Sequence, residues 1–363
     1  MRIKELDGLR GIAVLAVIDC HYLAWLPAAG SHYGWLGVDL FFVLSGFLIS
    51  GILLELREKE HYFKIFYTRR ALRIFPPYYL GIVVYLSVSI ALGMPGTFRI
   101  WTQYIFYYVS LLSHPIPLYG TPRGVPLAVS LGLGVLWSLS VEEIYYTIWA
   151  PVVRFTEEKE LTAILIAMMV IAPLLRWRLL SENLGMNTFY CQMDGLAYGS
   201  AVALLIRHRR LSPQVWLRAD RLFDGLALVM IPLAVGFWLA LRGDPLVPAA
   251  GITFANVSFA LITYALIRHA GGSQLWVRIF RAKWLRSIGM VSYSLYLFHY
   301  PLAVVSEEVV AKLHLVRRAN AVSGVLLSLA LSFAVAYGLW YGIESRILHW
   351  KDRKVPSIAH AEP

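Results

Sequence analysis

The chain has 363 residues, of which 58% are hydrophobic, and its formal net charge is +11. Its mean hydropathy is +0.62. Soluble domains contain only about 45–50% apolar residues, so an ordinary soluble globular protein is excluded. The two cysteines, Cys20 and Cys191, are too few for a disulfide framework or a zinc site, and no metal is expected. The basic residues are spread over short segments, so no nucleic-acid partner is expected.

Ten apolar stretches have the length, about 20 residues, that a helix needs to cross a lipid bilayer. We predict spans at residues 9–27, 35–56, 74–94, 136–153, 161–180, 189–206, 222–241, 250–267, 287–306 and 322–344. The shorter stretch Trp101–Leu112 is predicted to be an extra interfacial or re-entrant helix. The predicted fold class is an all-α integral membrane protein of about ten transmembrane helices. Its transmembrane domain is expected over 1–350, followed by a short disordered cytoplasmic tail, 351–363.

The distribution of Lys and Arg predicts how the chain is oriented in the membrane. With both termini inside, 25 of the 33 Lys and Arg residues fall in cytoplasmic segments and 8 in outer segments. Because cytoplasmic loops are enriched in these residues, the asymmetry favours a multi-pass protein of the cell (inner) membrane with both termini in the cytoplasm.

The first predicted span carries ionisable side chains along one face. At about 100° per residue, Asp7, Arg10 and His21 share that face, whereas Asp19 points to the opposite side. An ionisable group inside a span is costly to bury and is therefore a functional hypothesis by default. The alternative is that His21 has a purely structural role. Cys20 lies in apolar surroundings and is expected to be inert.

Ionisable residues from several spans are predicted to lie at one depth in the membrane. At about 1.5 Å per residue, His21 and His299 lie about 17–18 Å into their spans from the inner side. Glu142, Glu143 and Asp194 lie about 8–10 Å into theirs from the outer side. In a core about 30 Å thick, all five are compatible with one polar layer between the midplane and the outer leaflet.

The sequence leaves two interpretations open for the glutamate pair and two for His299. Glu142 and Glu143 are adjacent, and two buried carboxylates repel, so at least one needs a cation or a shared proton. The alternative is an outer loop in which both glutamates are solvated. His299 is equally compatible with a structural histidine that is bonded to a neighbouring helix.

A cluster of arginines precedes the third predicted span, in the second loop. If this segment is helical, Arg69, Arg70 and Arg73 lie close together, because residues three and four apart are neighbours on a helix. One interpretation is a clamp for phosphate groups that are presented from the cytoplasm. The other is that the arginines only anchor the span on its cytoplasmic side.

Six motifs occur in order over nearly the whole chain. They are LDGLRG from Leu6 with His21, GVDLFFVLSGFLI from Gly37, RRALRIFP from Arg69, WSLSVEE from Trp137, DGLAYG from Asp194 and SYSLYLFHYP from Ser292. With these motifs the chain resembles the acyltransferase 3 family of integral membrane acyltransferases, in the stand-alone transmembrane form. The resemblance implies transfer of an acyl group, most often acetyl, from cytoplasmic acyl-CoA to a hydroxyl group, usually of a sugar.

The resemblance also implies roles for individual residues. Arg10 and His21 match the essential arginine and histidine of the first span, and Arg70 and Arg73 match the pair assigned to the acyl donor. In one departure, Gln192 stands where the family often has an arginine two residues before the sixth-span aspartate. We therefore expect the Arg–Asp pairing at that aspartate to be lost.

Together, the residues and the resemblance predict an enzyme with three groups of site residues. We expect neutral His21 to act as a general base or to be acylated transiently, and Glu142 or Glu143 to orient or stabilise its ring. The donor acyl-CoA is a substrate, and no permanently bound cofactor is expected. The predicted donor-binding residues are Arg10, Arg69, Arg70 and Arg73. The predicted substrate-binding residues are Asp39, Ser45, Asp194, Tyr296 and His299.

Two other classes of protein fit the same pattern less well. A transporter of a glycan or a lipid-linked sugar also needs polar groups at mid-membrane depth. The chain lacks the inverted repeat that transporters often show, and its basic inner segment suits a phosphorylated donor. The third alternative is a membrane scaffold without catalytic activity.

Overall fold

The computed structural model of the chain describes residues 3–22, 34–91, 134–180, 187–211, 246–312 and 317–354. Within these ranges the regular structure is helical and contains no β-strand. The helices are α1 Lys4–Tyr22, α2 Leu36–Leu56, α3 Tyr62–Ala91, α4 Trp137–Phe155, α5 Glu158–Leu180, α6 Phe189–Leu211, α7 Leu246–Arg268, α8 Leu275–Phe280, α9 Lys283–Met290, α10 Ser292–Lys312, α11 Arg317–Leu339 and α12 Ser345–Lys354. A 3₁₀ turn, Gly134–Leu136, precedes α4, and a π turn, Trp340–Glu344, joins α11 to α12.

Five helical segments in the described part of the chain are long and apolar enough to cross a membrane. They are Leu36–Leu56, Tyr62–Val88, Glu158–Leu179, Ala250–Arg268 and Val322–Lys354. The pair α9 and α10 counts as a sixth segment if it forms one broken span. The all-helical class is therefore confirmed, whereas the count of about ten spans is not. The predicted span 222–241 and the stretch Trp101–Leu112 lie outside the described residues.

Two predicted boundaries need correction. Helix α3 begins at Tyr62, twelve residues before the predicted span 74–94, so the arginine cluster lies on a helix and not in a loop. The reason is physical: hydropathy marks where lipid begins, whereas a helix can extend beyond the lipid into water. The predicted span 287–306 is not one helix, because α9 ends at Met290 and α10 begins at Ser292. Val291 lies between them, and its carbonyl oxygen accepts a hydrogen bond from the Leu295 amide at the start of α10.

The chain divides into two compact units, and α1 and α4 each contribute to both. The first unit comprises Met1–Ala13, Leu36–Tyr62 and Val141–Gly289. Helices α2, α5, α6 and α7 pack against one another in this unit. Leu6, Leu9 and Ala13 of α1 join their apolar core, together with residues of α2 and α7.

Glycines set the distance between α2 and α6 in the first unit. A Cβ atom on Gly46 would collide with the carbonyl oxygen of Leu196, and one on Gly199 would collide with that of Val43. The two backbones therefore approach more closely than any side chain would permit. Small residues at helix contacts have this role in membranes, where close packing drives helix association.

We expect Gly199→Ala to lower the thermal stability of the protein. The added methyl group must push α2 and α6 apart, and overpacking of this kind costs about 1–3 kcal/mol. The matched control is Gly51→Ala on α2, where no atom lies within 4 Å of the added Cβ. The measurement is the melting temperature of the purified chain in detergent. Equal melting temperatures for the two variants would contradict the tight contact.

The second unit comprises Val14–Trp35, Phe63–Ser140 and Met290–Pro363. Helices α10 and α11 pack along each other, and α10 also contacts the 3₁₀ turn before α4. Gly81 of α3 lies against the side chains of Leu297 and Phe298 of α10. Helix α10 therefore contacts α3, α11 and the 3₁₀ turn of this unit.

Candidate active site

Two histidines of the second unit are in direct contact. Nε2 of His299 lies 3.1 Å from Nδ1 of His21, and the ring centroids are 5.0 Å apart. His21 occupies the last turn of α1 and its side chain is exposed, whereas His299 on α10 is fully buried. The Tyr300 ring also contacts His21, at 4.8 Å between centroids. In this pair, the exposed ring of His21 contacts the buried ring of His299.

Hydrogen bonding fixes the tautomer of both rings in their neutral state. Nδ1 of His299 lies 2.6 Å from the carbonyl oxygen of Tyr296, and Nδ1 of His21 lies 2.9 Å from that of Val17. A carbonyl oxygen can only accept, so Nδ1 carries the proton in both rings. Nε2 of His299 is then a second acceptor for the Nδ1–H of His21, which it shares with the Val17 carbonyl oxygen. This leaves a lone pair on Nε2 of His21, and within the described ranges no hydrogen bond engages that atom.

Hydrogen bonds fix the buried histidine and the two tyrosines that contact it. The Tyr22 hydroxyl donates to the carbonyl oxygen of His299 at 2.5 Å and lies 2.8 Å from Oγ of Ser332 on α11. The Tyr296 hydroxyl donates to the Val135 carbonyl at 3.0 Å and lies 2.7 Å from Oγ of Ser138. Tyr296, predicted to bind substrate, is therefore buried in this network, and its carbonyl oxygen orients His299.

A second group of predicted residues meets in the first unit. Oε1 of Glu142 accepts a hydrogen bond from Ser45 at 2.7 Å, and Oε2 accepts one from Tyr146 at 2.8 Å. Glu142 and Glu143 lie on α4 and therefore belong to a helix and not to a loop. The Ser45 contact joins α2 to α4. Two hydroxyl donors offset part of the cost of removing the Glu142 carboxylate from water.

The expected loss of an Arg–Asp pair near the sixth span is wrong. Arg176 of α5 binds both carboxylate oxygens of Asp194, at 2.8 and 2.6 Å, and both side chains are fully buried. Arg176 also donates to Oγ1 of Thr253, at 2.6 Å, and to the Cys191 carbonyl oxygen. The guanidinium group comes from a neighbouring helix and not from position 192 on α6. The spacing of residues along one helix does not reveal such a pairing.

Asp39, a predicted substrate-binding residue, lies in the same unit as this ion pair. It is only 2% exposed, and the charges of Asp194 and Arg176 both act on it. One of its carboxylate oxygens, Oδ1, has no hydrogen-bond partner among the residues that the structure describes. The first unit thus buries two carboxylates near one guanidinium group.

Arg69, Arg70 and Arg73, three of the predicted donor-binding arginines, lie in the N-terminal half of α3. Arg69 and Arg70 are half-buried, and Arg73 is exposed. The guanidinium group of Arg69 forms a salt bridge with Asp352 of α12, with Nη2 and Oδ1 2.7 Å apart. Arg10 is half-buried on the part of α1 that belongs to the first unit. Within the described ranges, no group of three or more metal-ligating side chains is present.

Some residues of these sites were not singled out from the sequence. The signal for Arg176 is its position four residues before the end of an apolar helix, which marks it as an ionisable group within a span. Tyr22 and Ser332 carry no signal of their own, because their partners are distant in sequence. Lys351 and Asp352 were assigned to a disordered tail, but α12 continues to Lys354.

The contacts and apolar helices described above define a membrane protein with a histidine pair as its candidate catalytic centre. A family model described as an acyltransferase domain matches residues 3–341. The chain therefore belongs to this acyltransferase family and is a multi-pass membrane protein.

Individual relatives were also identified. The peptidoglycan O-acetyltransferase OatA of Listeria monocytogenes is 30% identical over 324 residues, which are 85% of this chain and 50% of the relative. The putative peptidoglycan O-acetyltransferase YrhL of Bacillus subtilis is 30% identical over 85% of this chain and 49% of the relative. A putative O-acetyltransferase of Staphylococcus aureus is 33% identical over 42% of this chain and 25% of the relative. The chain spans about half the length of the first two relatives. No solved structure matches it.

Proposed function

We propose that the chain is a membrane-embedded O-acyltransferase that moves an acetyl group from cytoplasmic acetyl-CoA to a hydroxyl group of a carbohydrate or glycoside. The observation that carries this proposal is the contact between Nδ1 of His21 and Nε2 of His299, from which the tautomers above are inferred. These tautomers leave Nε2 of His21 as an exposed base that is oriented from behind by His299. The two relatives named as peptidoglycan O-acetyltransferases support acetyl as the acyl group and a saccharide as the acceptor.

In this proposal, His21 takes the proton of the acceptor hydroxyl group. The hydroxyl oxygen attacks the carbonyl carbon of the thioester, and the carbon–sulfur bond breaks to release the CoA thiolate. The imidazolium proton of His21 then passes to the thiolate sulfur, which gives free CoA. In the alternative route, Nε2 of His21 attacks the thioester carbonyl carbon, and the carbon–sulfur bond breaks to release the CoA thiolate. The hydroxyl oxygen then attacks the acyl-imidazole, the carbon–nitrogen bond breaks, and the hydroxyl proton passes to the thiolate.

His299 has the part in this mechanism that a carboxylate has in a serine-protease triad. It accepts the Nδ1–H of His21, and its own Nδ1–H is held by the carbonyl oxygen of Tyr296. The acceptor nitrogen selects the productive tautomer and stabilises the positive charge that develops on His21. His299 is therefore a positioning residue in this proposal. The predicted roles of Glu142 and Glu143 beside this histidine stay predictions.

We expect His299→Leu to lower kcat by about 10²-fold or more with little change in KM, because His21 loses its orienting acceptor. His299→Gln keeps an acceptor oxygen and should recover part of the loss. Steady-state kinetics of purified chain in lipid nanodiscs measure both constants. Unchanged kcat in the leucine variant would show that His299 only fills space.

The donor is proposed to bind on the cytoplasmic side through Arg69, Arg70 and Arg73. Arg69 and Arg73 are four residues apart on α3, so both face the same side of the helix. Guanidinium groups bind phosphate oxygens in a bidentate manner, and CoA carries several phosphate groups. The predicted role of Arg10 on the donor, and those of Asp39, Ser45 and Asp194 on the acceptor, remain part of the proposal. The position of both termini in the cytoplasm is also part of the proposal, and it is supported by the distribution of Lys and Arg along the sequence.

Release of free CoA distinguishes this function from a transporter. Purified chain in nanodiscs is mixed with acetyl-CoA and with cell-envelope saccharide as acceptor, and free thiol is measured over time. An acyltransferase releases CoA in an acceptor-dependent manner and acetylates the saccharide. A transporter releases none, and that result with every saccharide fraction would overturn the proposal.

A further inference from the structure

Helix α12 brings two charged side chains to the arginines of α3. Oδ1 of Asp352 lies 2.7 Å from Nη2 of Arg69 and 3.7 Å from Nζ of Lys351. One carboxylate oxygen is therefore shared by two cations from two helices. The Lys351 side chain is only 12% exposed, whereas that of Asp352 is 60% exposed.

The Asp352 carboxylate lies in a group of basic side chains. The charges of Arg69 and Arg73 both act on the ammonium group of Lys351, so all three cations lie in one electrostatic neighbourhood. The Asp352 carboxylate carries one negative charge. Cations that are held together in this way repel one another, and an anion with more than one charge relieves that repulsion better than one carboxylate does.

The geometry around Oδ1 of Asp352 is that of an oxygen anion between a guanidinium group and an ammonium group. A phosphate oxygen makes the same two contacts, the first through a planar fork and the second through a point charge. The carboxylate is also easy to displace, because an ion pair with an exposed partner is weak.

We propose that Lys351 is a further donor-binding residue and that the Asp352 carboxylate occupies a phosphate position until the donor displaces it. This inference rests on the proposed function, since it names additional residues at the donor end of that site. The ligand class is a phosphate group of a CoA thioester. In this proposal, Lys351 of α12 helps to bind the phosphate group, and Asp352 of the same helix competes with that group for the site.

The experiment measures the affinity of full-length chain in nanodiscs for CoA, with inorganic pyrophosphate as a competing probe. Lys351→Met is expected to weaken CoA binding by about tenfold, because it removes a charge-assisted contact. Lys351→Arg keeps the charge and should bind like the wild type. Asp352→Asn removes the competing anion and should tighten binding by about two- to fivefold.

Two controls carry the same changes in charge elsewhere. Arg353→Gln removes one positive charge from the next position of α12, and Glu60→Gln removes one negative charge from an exposed residue before α3. Neither should change CoA affinity as much as its counterpart does. If Asp352→Asn weakens binding, the carboxylate only holds α12 in place and the inference is wrong. Equal affinities of Lys351→Met and Arg353→Gln would also overturn it.

A third variant separates this inference from the proposed function. Arg70→Ala combined with Arg73→Ala tests the donor clamp itself. If it abolishes CoA binding while the α12 variants change nothing, only the inference about Lys351 and Asp352 falls. If wild-type chain binds neither CoA nor pyrophosphate, the proposed donor falls and the inference falls with it.

Discussion

His21→Ala is expected to reduce acyl transfer by about 10³-fold or more while the protein remains folded. The variant removes the only atom of the histidine pair with an available lone pair, and a positioned base contributes about 10²–10⁴-fold to a rate. His21 is exposed at the end of α1, so truncation leaves no large cavity in the core. The measurement is acceptor-dependent release of CoA by purified variant in nanodiscs.

His269→Ala is the matched control for this substitution. Nδ1 of His269 lies 3.0 Å from the carbonyl oxygen of Ala265, four residues earlier, which is the same local contact that His21 makes with Val17. His269 packs against Trp276 and is assigned no catalytic role. It should retain the wild-type rate. Equal rates for the two alanine variants would remove His21 from the mechanism.

Arg176→Met is expected to be the most damaging change to stability in the first unit. Arg176 and Asp194 are fully buried and joined by two hydrogen bonds. Removing the guanidinium group leaves a buried carboxylate without its cation, which costs about 3–5 kcal/mol. We expect a low yield of folded protein and a large fall in melting temperature in detergent.

The double variant Arg176→Met, Asp194→Leu shows whether the pairing is the cause. Replacing both members of a buried ion pair by apolar residues of similar size is often neutral or stabilising, so the double variant should recover much of the loss. Arg178→Met, at an exposed position two residues further along α5, is the control for removing a cation. The ion pair would be unimportant if Arg176→Met and Arg178→Met melted at the same temperature.

The ends of a helix could be predicted from the sequence where the thickness of the bilayer alone sets the length of the helix. The predicted span 35–56 matches α2, Leu36–Leu56, almost residue for residue, because a fixed hydrocarbon thickness demands a fixed apolar length. The same rule misplaced the start of α3, which extends beyond its apolar part. It also gave no sign of the interruption at Val291, since hydropathy is continuous across that residue.

The site was predictable in part, and the limit is the packing between helices. Equal depth made His21 and His299 compatible with one layer, and the structure places them 3.1 Å apart. Depth gives only the position of each residue along the membrane normal. Neither the contact between the two histidines nor the tautomers of their rings could be derived from the sequence. The Arg176–Asp194 pair depends on how α5 packs against α6. No spacing within a single helix contains that information.

The proposed reaction of this chain is the transfer of an acyl group to a carbohydrate hydroxyl. Mass spectrometry of surface glycans from cells with and without the chain tests it most directly, with the His21→Ala form as a third sample. We expect an acyl-sized mass on the glycans that depends on the wild-type chain and is absent with His21→Ala. Identical glycan masses in all three samples would contradict the proposal.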